Sequence, residues 1–253
     1  AAICVSNVED DNQKDFALSE IPADTECILV LGGDGTLIRA ATKVEALQIP
    51  LIGVNMGTLG YLCELERSTV FDAIDKLFND QYELEERMLI AGSDSKDDTG
   101  KTTFALNDIV IHRCGMPQIV NLIVSVNGEY LATYSADGII ISTPTGSTGY
   151  SMSAGGPIVD PKADLMLITP INDHNLSSKS IVISADEEVT VELGKRRSQK
   201  DEMVEVSFDG DSKVRLEVGD RFVVRRAEDT AKICKLSSES FLEILRRKMS
   251  AYT

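Results

Sequence analysis

Apolar positions in this chain fall into two rhythms that change over near residue 86. Before that point, continuous apolar runs alternate with helical spacing; after it, short β-type runs are separated by polar turns. Ala1 to Asn7 reads as a short buried strand, and Glu9 to Lys14 is polar enough to be loop or helix surface. The run Cys27 to Leu31 stops at Gly32-Gly33-Asp34-Gly35-Thr36, and Leu37, Ala40, Ala41, Val44 and Leu47 then recur as one face of a helix. A second strand, Ile49 to Val54, ends at Asn55, Gly57 and Gly60. A helix from Ser68 or Thr69 is predicted to turn Val70, Ile74, Leu77 and Phe78 inward. Strands alternating with helices predict a Rossmann-like parallel sheet with ligands at the strands' carboxyl ends.

Beyond residue 86 the predicted strands are Arg87 to Ala91, Phe104 to His112, Gln118 to Val126, Tyr130 to Tyr134, Gly138 to Ser142, Leu165 to Thr169, Ile181 to Ser184, Val189 to Leu193, Val204 to Phe208 and Arg221 to Arg226. Asn127-Gly128 is a hairpin turn. Ser93 to Thr103 and Gly194 to Glu202 read as solvated hairpin tips. A last helix opens with Ser240 and Glu243 as a capping box. The organisation that follows is an α/β N-terminal domain, 1–86, joined by the C-terminal helix 237–250, and a β-rich C-terminal domain of β-sandwich type, 87–236.

Composition narrows the function classes. The 253 residues are 43% hydrophobic, enough for a proper core without staples. Lys plus Arg number 25 against 41 Asp plus Glu, a formal charge of −16, which argues against nonspecific binding of nucleic acid or an anionic membrane. An anionic ligand must then be met locally, by backbone amides, helix N-termini, a few placed Arg or Lys and a divalent cation. The five cysteines are scattered, and His112 and His174 lie far apart, so neither a zinc site nor a Ser-His-Asp hydrolase is favoured. No apolar run nears the length of a membrane span and no leader pattern opens the sequence, so the expected location is cytoplasmic.

The stretch from Ser135 to Pro161 is the strongest site candidate. After Ile139 to Ile141 comes Ser142-Thr143-Pro144-Thr145-Gly146-Ser147-Thr148-Gly149, small residues whose amides and hydroxyls could be open to a phosphate-bearing ligand, followed by the ring of Tyr150. Such clusters are also ordinary surface turns, but this one is several times longer than a turn requires. Asp34 sits in a glycine turn between strand and helix. There it is either an acid that accepts a proton from a hydroxyl nucleophile or helps hold a metal-bound phosphate, or a cap for a helix begun at Thr36. Walker and G-x-G-x-x-G spacings are absent. Asn107-Asp108 is out of character in a strand and marks either a ligand contact for ribose or adenine or a bulge or turn.

Taken together, GGDGT at 32–36, NMGTLGYL at 55–62, LND at 106–108 and ADGIIISTPTGSTGYSMSAGGPIV at 136–159 resemble the NAD kinase family in its bacterial form. The resemblance implies NAD bound between two domains, ATP as phosphoryl donor and a divalent cation, most simply magnesium. It implies Asp34 as the residue that activates the 2'-hydroxyl of the adenosine ribose, and Gly32, Gly33, Gly35 and Thr36 as the ATP phosphate turn. NAD contacts are implied for Gly35, Arg39, Tyr61, Asn107, Asp108, Gln118, Asp137, Thr148, Gly149, Tyr150, Ser151, Ser153 and Asp209. Gln118, Gly149 and Ser135 depart from residues common in the family. NAD and ATP, or another polyphosphate donor, are the implied partners, and a homodimer or homotetramer the implied assembly. The rivals are a lipid or sugar kinase sharing the GGDGT turn and a non-catalytic nucleotide sensor.

Overall fold

The computed structural model describes residues 21–57, 60–96, 102–115, 119–175, 179–195 and 203–250. The predicted strand at 1–7, the polar segment after it, Gln118 and parts of both hairpin tips lie outside the described residues. In the first half β1 (Ile28–Gly32) and β2 (Leu51–Asn55) run parallel, with Ile28 beside Leu51 and Gly32 beside Asn55. The crossover helix α1 (Asp34–Val44) buries Leu37, Ile38, Ala41 and Val44. It begins at Asp34 rather than Thr36, with an extended Gly33 as its N-cap. β3 (Leu65–Glu66) extends the sheet beside β2, and α2 (Val70–Phe78) follows. Val70, Ala73 and Leu77 form the inward face of α2, so Phe78, one step around the helix from Leu77, is 72% exposed and not inward as predicted.

The second half consists of β4 (Glu83–Asp94), β5 (Thr103–Ala105), β6 (Asp108–Arg113), β7 (Val120–Val126), β8 (Glu129–Ala136), β9 (Gly138–Ser142), a single-turn α3 (Tyr150–Ser153), β10 (Leu165–Ile171), β11 (Ile181–Ser184), β12 (Val189–Gly194), β13 (Met203–Phe208), β14 (Asp211–Glu217), β15 (Arg221–Lys235) and α4 (Phe241–Ser250). Among the described residues two sheets form. One has the order β1-β2-β15-β12-β7-β8, with β3 on β2 and the β4–β5 pair on β15; the other is antiparallel, β11-β10-β9-β6-β13-β14. Their facing sides interdigitate Leu122, Val124 and Val191 with Ile109, Ile139 and Val206, as in a sandwich. Phe208 and Phe222 meet edge to face across this core, with ring centroids 6.1 Å apart.

One strand ties the halves together. β15 was predicted to end at Arg226, yet after a bulge between Arg226 and Thr230 it continues to Lys235, pairing with β4 throughout and, at Ile233, in parallel with Leu51 of β2. Charged Glu228, Asp229 and Lys232 hide that extension in the sequence, while Ala227, Ala231 and Ile233 are buried. β4 likewise runs through residue 86, so the halves are joined by continuous strand. β14 was not predicted because DSKVRLE has just two apolar residues, Val214 and Leu216, both of which pack against the core. Its hairpin with β13 turns on Asp209-Gly210, both left-handed (φ +49° and +92°), the pattern of a two-residue loop.

The sandwich core leaves no room beside Gly92, where an added Cβ would meet Phe222, Ile109 and Phe208 at 2.8–2.9 Å. Gly92→Ala should therefore cost about 1–3 kcal/mol in urea unfolding. A neutral effect would show that the aromatic pair yields freely.

Candidate active site

The glycine, serine and threonine tract departs from its expected openness. Ser142 to Ser147 are buried, and the hydroxyls of Thr143, Ser147 and Thr148 are bonded to nearby backbone, while Ser142 Oγ has no partner among the described residues. Thr143 Oγ1 donates to the Leu106 carbonyl (2.6 Å) and accepts from the Gly146 N–H (3.0 Å). Ser147 Oγ donates to the Val159 carbonyl and accepts from its N–H (3.2 and 3.0 Å), and Thr148 Oγ1 donates to the Thr145 carbonyl. Ser151, expected at the ligand, is buried and bonded to Thr169 Oγ1 at 3.0 Å, so it anchors α3 on β10. Gly146 is required by close approach: a Cβ there would stand 2.0 Å from the Asn107 carbonyl. The tract is thus a rigid cover for the outer face of the six-stranded sheet that leaves Tyr150 and Ser153 exposed and Thr148 and Gly149 half-buried.

Asn107 and Asp108 lie where the predicted strand breaks into β5 and β6. The break is held by Asp209. Its Oδ2 accepts the Leu106 N–H (2.8 Å), and its Oδ1 accepts those of Asn107 (2.7 Å) and Asp108 (3.1 Å). In return the Asp209 N–H donates to the Asp108 carbonyl (3.0 Å). The Asp108 carboxyl is 5% exposed and pushed up to about 7, first by burial and then by the charge of Asp209. Asp209 is also raised by burial, against the pull of the three amides. Buried Asn107 Oδ1 has no partner, and a Cβ on Gly149 would stand 3.6 Å from Asn107 Nδ2 and 3.7 Å from Asp108 Oδ2.

Over this break opens a cavity of about 710 Å³ lined by Asn107, Asp108, Asp137, Tyr150 and Asp209, all expected at the site. It is also lined by His112, Arg113 and Asn172, which sequence reasoning missed. Asp137 bonds Asn172 Nδ2 (2.9 Å) and pairs with Arg113 Nε (2.8 Å), and these two hold its carboxyl below the usual range. Arg113 could have been found as the strand-end cation two residues beyond Ile111 in β6; Asn172 carries no signal in the sequence. Val110 and Ile171 supply an apolar floor, so the cavity combines an apolar wall with convergent polar groups, as ligand sites do.

Asp34 forms a second focus. Its carboxylate does not cap α1. Oδ2 accepts the Tyr61 N–H (2.6 Å) and Oδ1 those of Leu62 (3.2 Å) and Cys63 (3.0 Å). The Cys63 thiol, buried beside it, is pushed up to about 12 by burial and then by the Asp34 charge, and so stays neutral. Gly32 must lack a side chain because a Cβ would overlap Thr36 Oγ1 at 2.4 Å. Gly35 and Arg39 are exposed, and the Lys248 ammonium from α4 sits 5.5 Å from the centre of the Tyr61 ring. Leu106, next to the Asn107 break, packs in one apolar cluster with Leu37, Leu62 and Cys63, which couples the two foci through the core.

Comparison with known proteins shows the family of the chain. Residues 2–82 match the ATP-NAD kinase N-terminal domain and residues 106–236 the ATP-NAD kinase C-terminal domain. The chain belongs to the NAD kinase family. An NAD kinase of Agathobacter rectalis is 62% identical over 249 residues, 98% of this chain and 87% of that protein. One of Geobacter metallireducens is 42% identical over 231 residues, covering 91% and 80%. Among solved structures, yeast NADH kinase complexed with NADH superposes with a TM-score of 0.82 at 26% identity, covering 89% of this chain and 67% of that one. An Archaeoglobus fulgidus NAD kinase in complex with ATP gives 0.74 at 25%, covering 89% and 83%.

In this kinase the buried Asp108 carries a stability cost that depends on pH. Its raised folded value, against 3.8 normally, means that the fold holds the proton more tightly than the unfolded chain. Its contribution is therefore complete at low pH and lost as pH rises from about 4 to about 7. Asp108→Asn escapes that loss, so its stability relative to wild type should grow across that window by at most about 1.4 kcal/mol per pH unit and then level off. Urea unfolding of both proteins across the window checks this; a difference independent of pH would contradict it.

Proposed function

We infer that the chain is an ATP-dependent NAD kinase, which moves the γ-phosphoryl of ATP to the 2'-hydroxyl of the adenosine ribose of NAD and makes NADP. Membership of the family along nearly the whole chain carries this reading. Nothing in the site favours a lipid, sugar or purely sensory role. Asp34 takes the proton of the 2'-hydroxyl as the new O–P bond forms and the bond from the γ-phosphorus to the bridging oxygen breaks, releasing ADP. The Tyr61–Cys63 amides take three of the roughly four acceptor positions of the Asp34 carboxylate and the Cys63 thiol also bonds it, so the 2'-hydroxyl would take the thiol's place.

NAD is bound in the cavity over the six-stranded sheet. Asn107 and Asp108 meet ribose hydroxyls, Tyr150 offers a ring face beside Thr148 and Gly149, Ser153 lies at the rim, and Asp137 stands at the Arg113 end. Asp209 acts by holding the Asn107–Asp108 break. Tyr61 serves the adenine side with Gly35 and Arg39 near the phosphates, while Gly32, Gly33 and Thr36 shape the donor turn. Among the described residues no three His, Cys, Asp or Glu side chains converge on a metal position. Magnesium would be carried on the donor's phosphates, where it would neutralise charge developing in transfer. The same proposal includes a homo-oligomeric enzyme of the cytoplasm, with an N-terminal unit of residues 1–86 plus α4 and a β-rich unit of 87–236. No helix among the described residues is long and apolar enough to cross a membrane.

Two measurements test the chemistry. Asp34→Asn should lower kcat for NADP formation from NAD and ATP by about 10² to 10⁴; a variant within a few-fold of wild type would remove Asp34 from that role. NADP formation should also stop in excess chelator while NAD still binds, because a triphosphate approaching a protein of net charge −16 needs its own charge masked. Turnover that survives complete removal of divalent ions would contradict the metal-carrying donor.

A further inference from the structure

The three bonds at Asp34 have a consequence for the turn that makes them. Tyr61, Leu62 and Cys63 are consecutive, and all three of their N–H groups point at one carboxylate from a different element, 27 to 29 residues away. Gly60 completes the contact: a Cβ there would lie 1.9–2.1 Å from the Asp34 carboxyl atoms, so only a residue without a side chain lets the carboxylate reach the amides. The segment 60–64 is assigned to neither helix nor strand. Leu62 and Cys63 are buried, whereas Tyr61 is half-buried and reaches α4 through Lys248.

We propose that Asp34 is the latch of the Gly60–Cys63 turn: ionised, it fixes that turn and with it Tyr61, and on accepting a proton it lets the turn go. The inference rests on Asp34 being the proton acceptor, and the physical reason is a count of donors and acceptors. An ionised carboxylate is acceptor-only and suits three N–H donors. Once one oxygen carries the proton from the 2'-hydroxyl, that oxygen becomes a donor facing N–H donors, and the charge that strengthened the bonds is gone. Phosphoryl transfer thus converts the element that orders Tyr61 into one that releases it, after which the proton passes to water and the turn closes again. Gly60 and the three amides are positioning groups for the catalytic carboxylate.

The test is amide hydrogen exchange of the full chain at Tyr61, Leu62 and Cys63 in wild type, Asp34→Asn and Gly60→Ala, with core amides such as Leu122 and Ile139 reporting on global folding. Asp34→Asn keeps the size but has only one acceptor oxygen, so at least one of the three amides should exchange about tenfold faster or more. Gly60→Ala leaves Asp34 chemically intact but displaces it, so the same amides should speed up and kcat should fall. Unchanged exchange at all three positions in both variants overturns the latch. The two readings separate cleanly. Lost turnover with unchanged exchange in Asp34→Asn leaves the proton acceptor standing without a latch, and faster exchange with retained turnover shows that Asp34 holds the turn but overturns its release by the reaction's proton.

Discussion

A single carboxylate bonded to the backbone of a distant segment sets the shape of the cavity over the six-stranded sheet. Asp209, at the tip of the β13–β14 hairpin, takes the N–H groups of Leu106, Asn107 and Asp108, and the strand that would otherwise run on from β5 into β6 is broken there. Everything around the break follows from where it lies. The Leu106 carbonyl receives Thr143 Oγ1, the Asn107 carbonyl receives the Thr143 N–H and passes so close to Gly146 that no side chain fits, and Tyr150 emerges one turn later over the cavity. Asp34 repeats the device on the other side of the shared Leu37–Leu106 cluster, where its carboxylate orders the turn that carries Tyr61.

This arrangement places acids where a polar substrate needs them at the expense of stability. Asp108 and Asp209 are neighbours, Asp108 buried and Asp209 half-buried, both raised, and among the described residues Asp209 is the one with amides to compensate it. A fold built for stability alone would not keep Asp108. On the proposed reading its use is to be desolvated before NAD arrives, so that ribose hydroxyls replace water it has already lost. At the other end of the cavity Asp137 is held ionised by Asn172 and Arg113, so the acids lining one cleft differ in character.

Much of the fold was legible because periodicity reports burial. Gly138–Ser142 and Ile181–Ser184 stand as predicted, Asn127-Gly128 turns left-handed in its hairpin, and Ser240 and Glu243 exchange bonds as a capping box. What was lost shares one cause: strands whose polar residues hide the pairing. The second half of β15 is polar on one side yet fully paired with β4, and β14 is polar except at two positions. At the cavity, residue types and the family resemblance pointed to segments that line it but not to their hydrogen bonds. The tract's hydroxyls were visible as composition, and only the fold shows them turned inward; Asp209 was placed in the cleft, but its hold on 106–108 depends on a hairpin reaching back about a hundred residues.

The most direct test of the cleft is to titrate isotopically labelled protein with NAD and map the shifted backbone and side-chain resonances. The account predicts the largest shifts at Asn107, Asp108, Asp137, Tyr150 and Asn172, with β7 and β8 of the other sheet unmoved. NAD-induced shifts that leave those five residues untouched and gather elsewhere would contradict it.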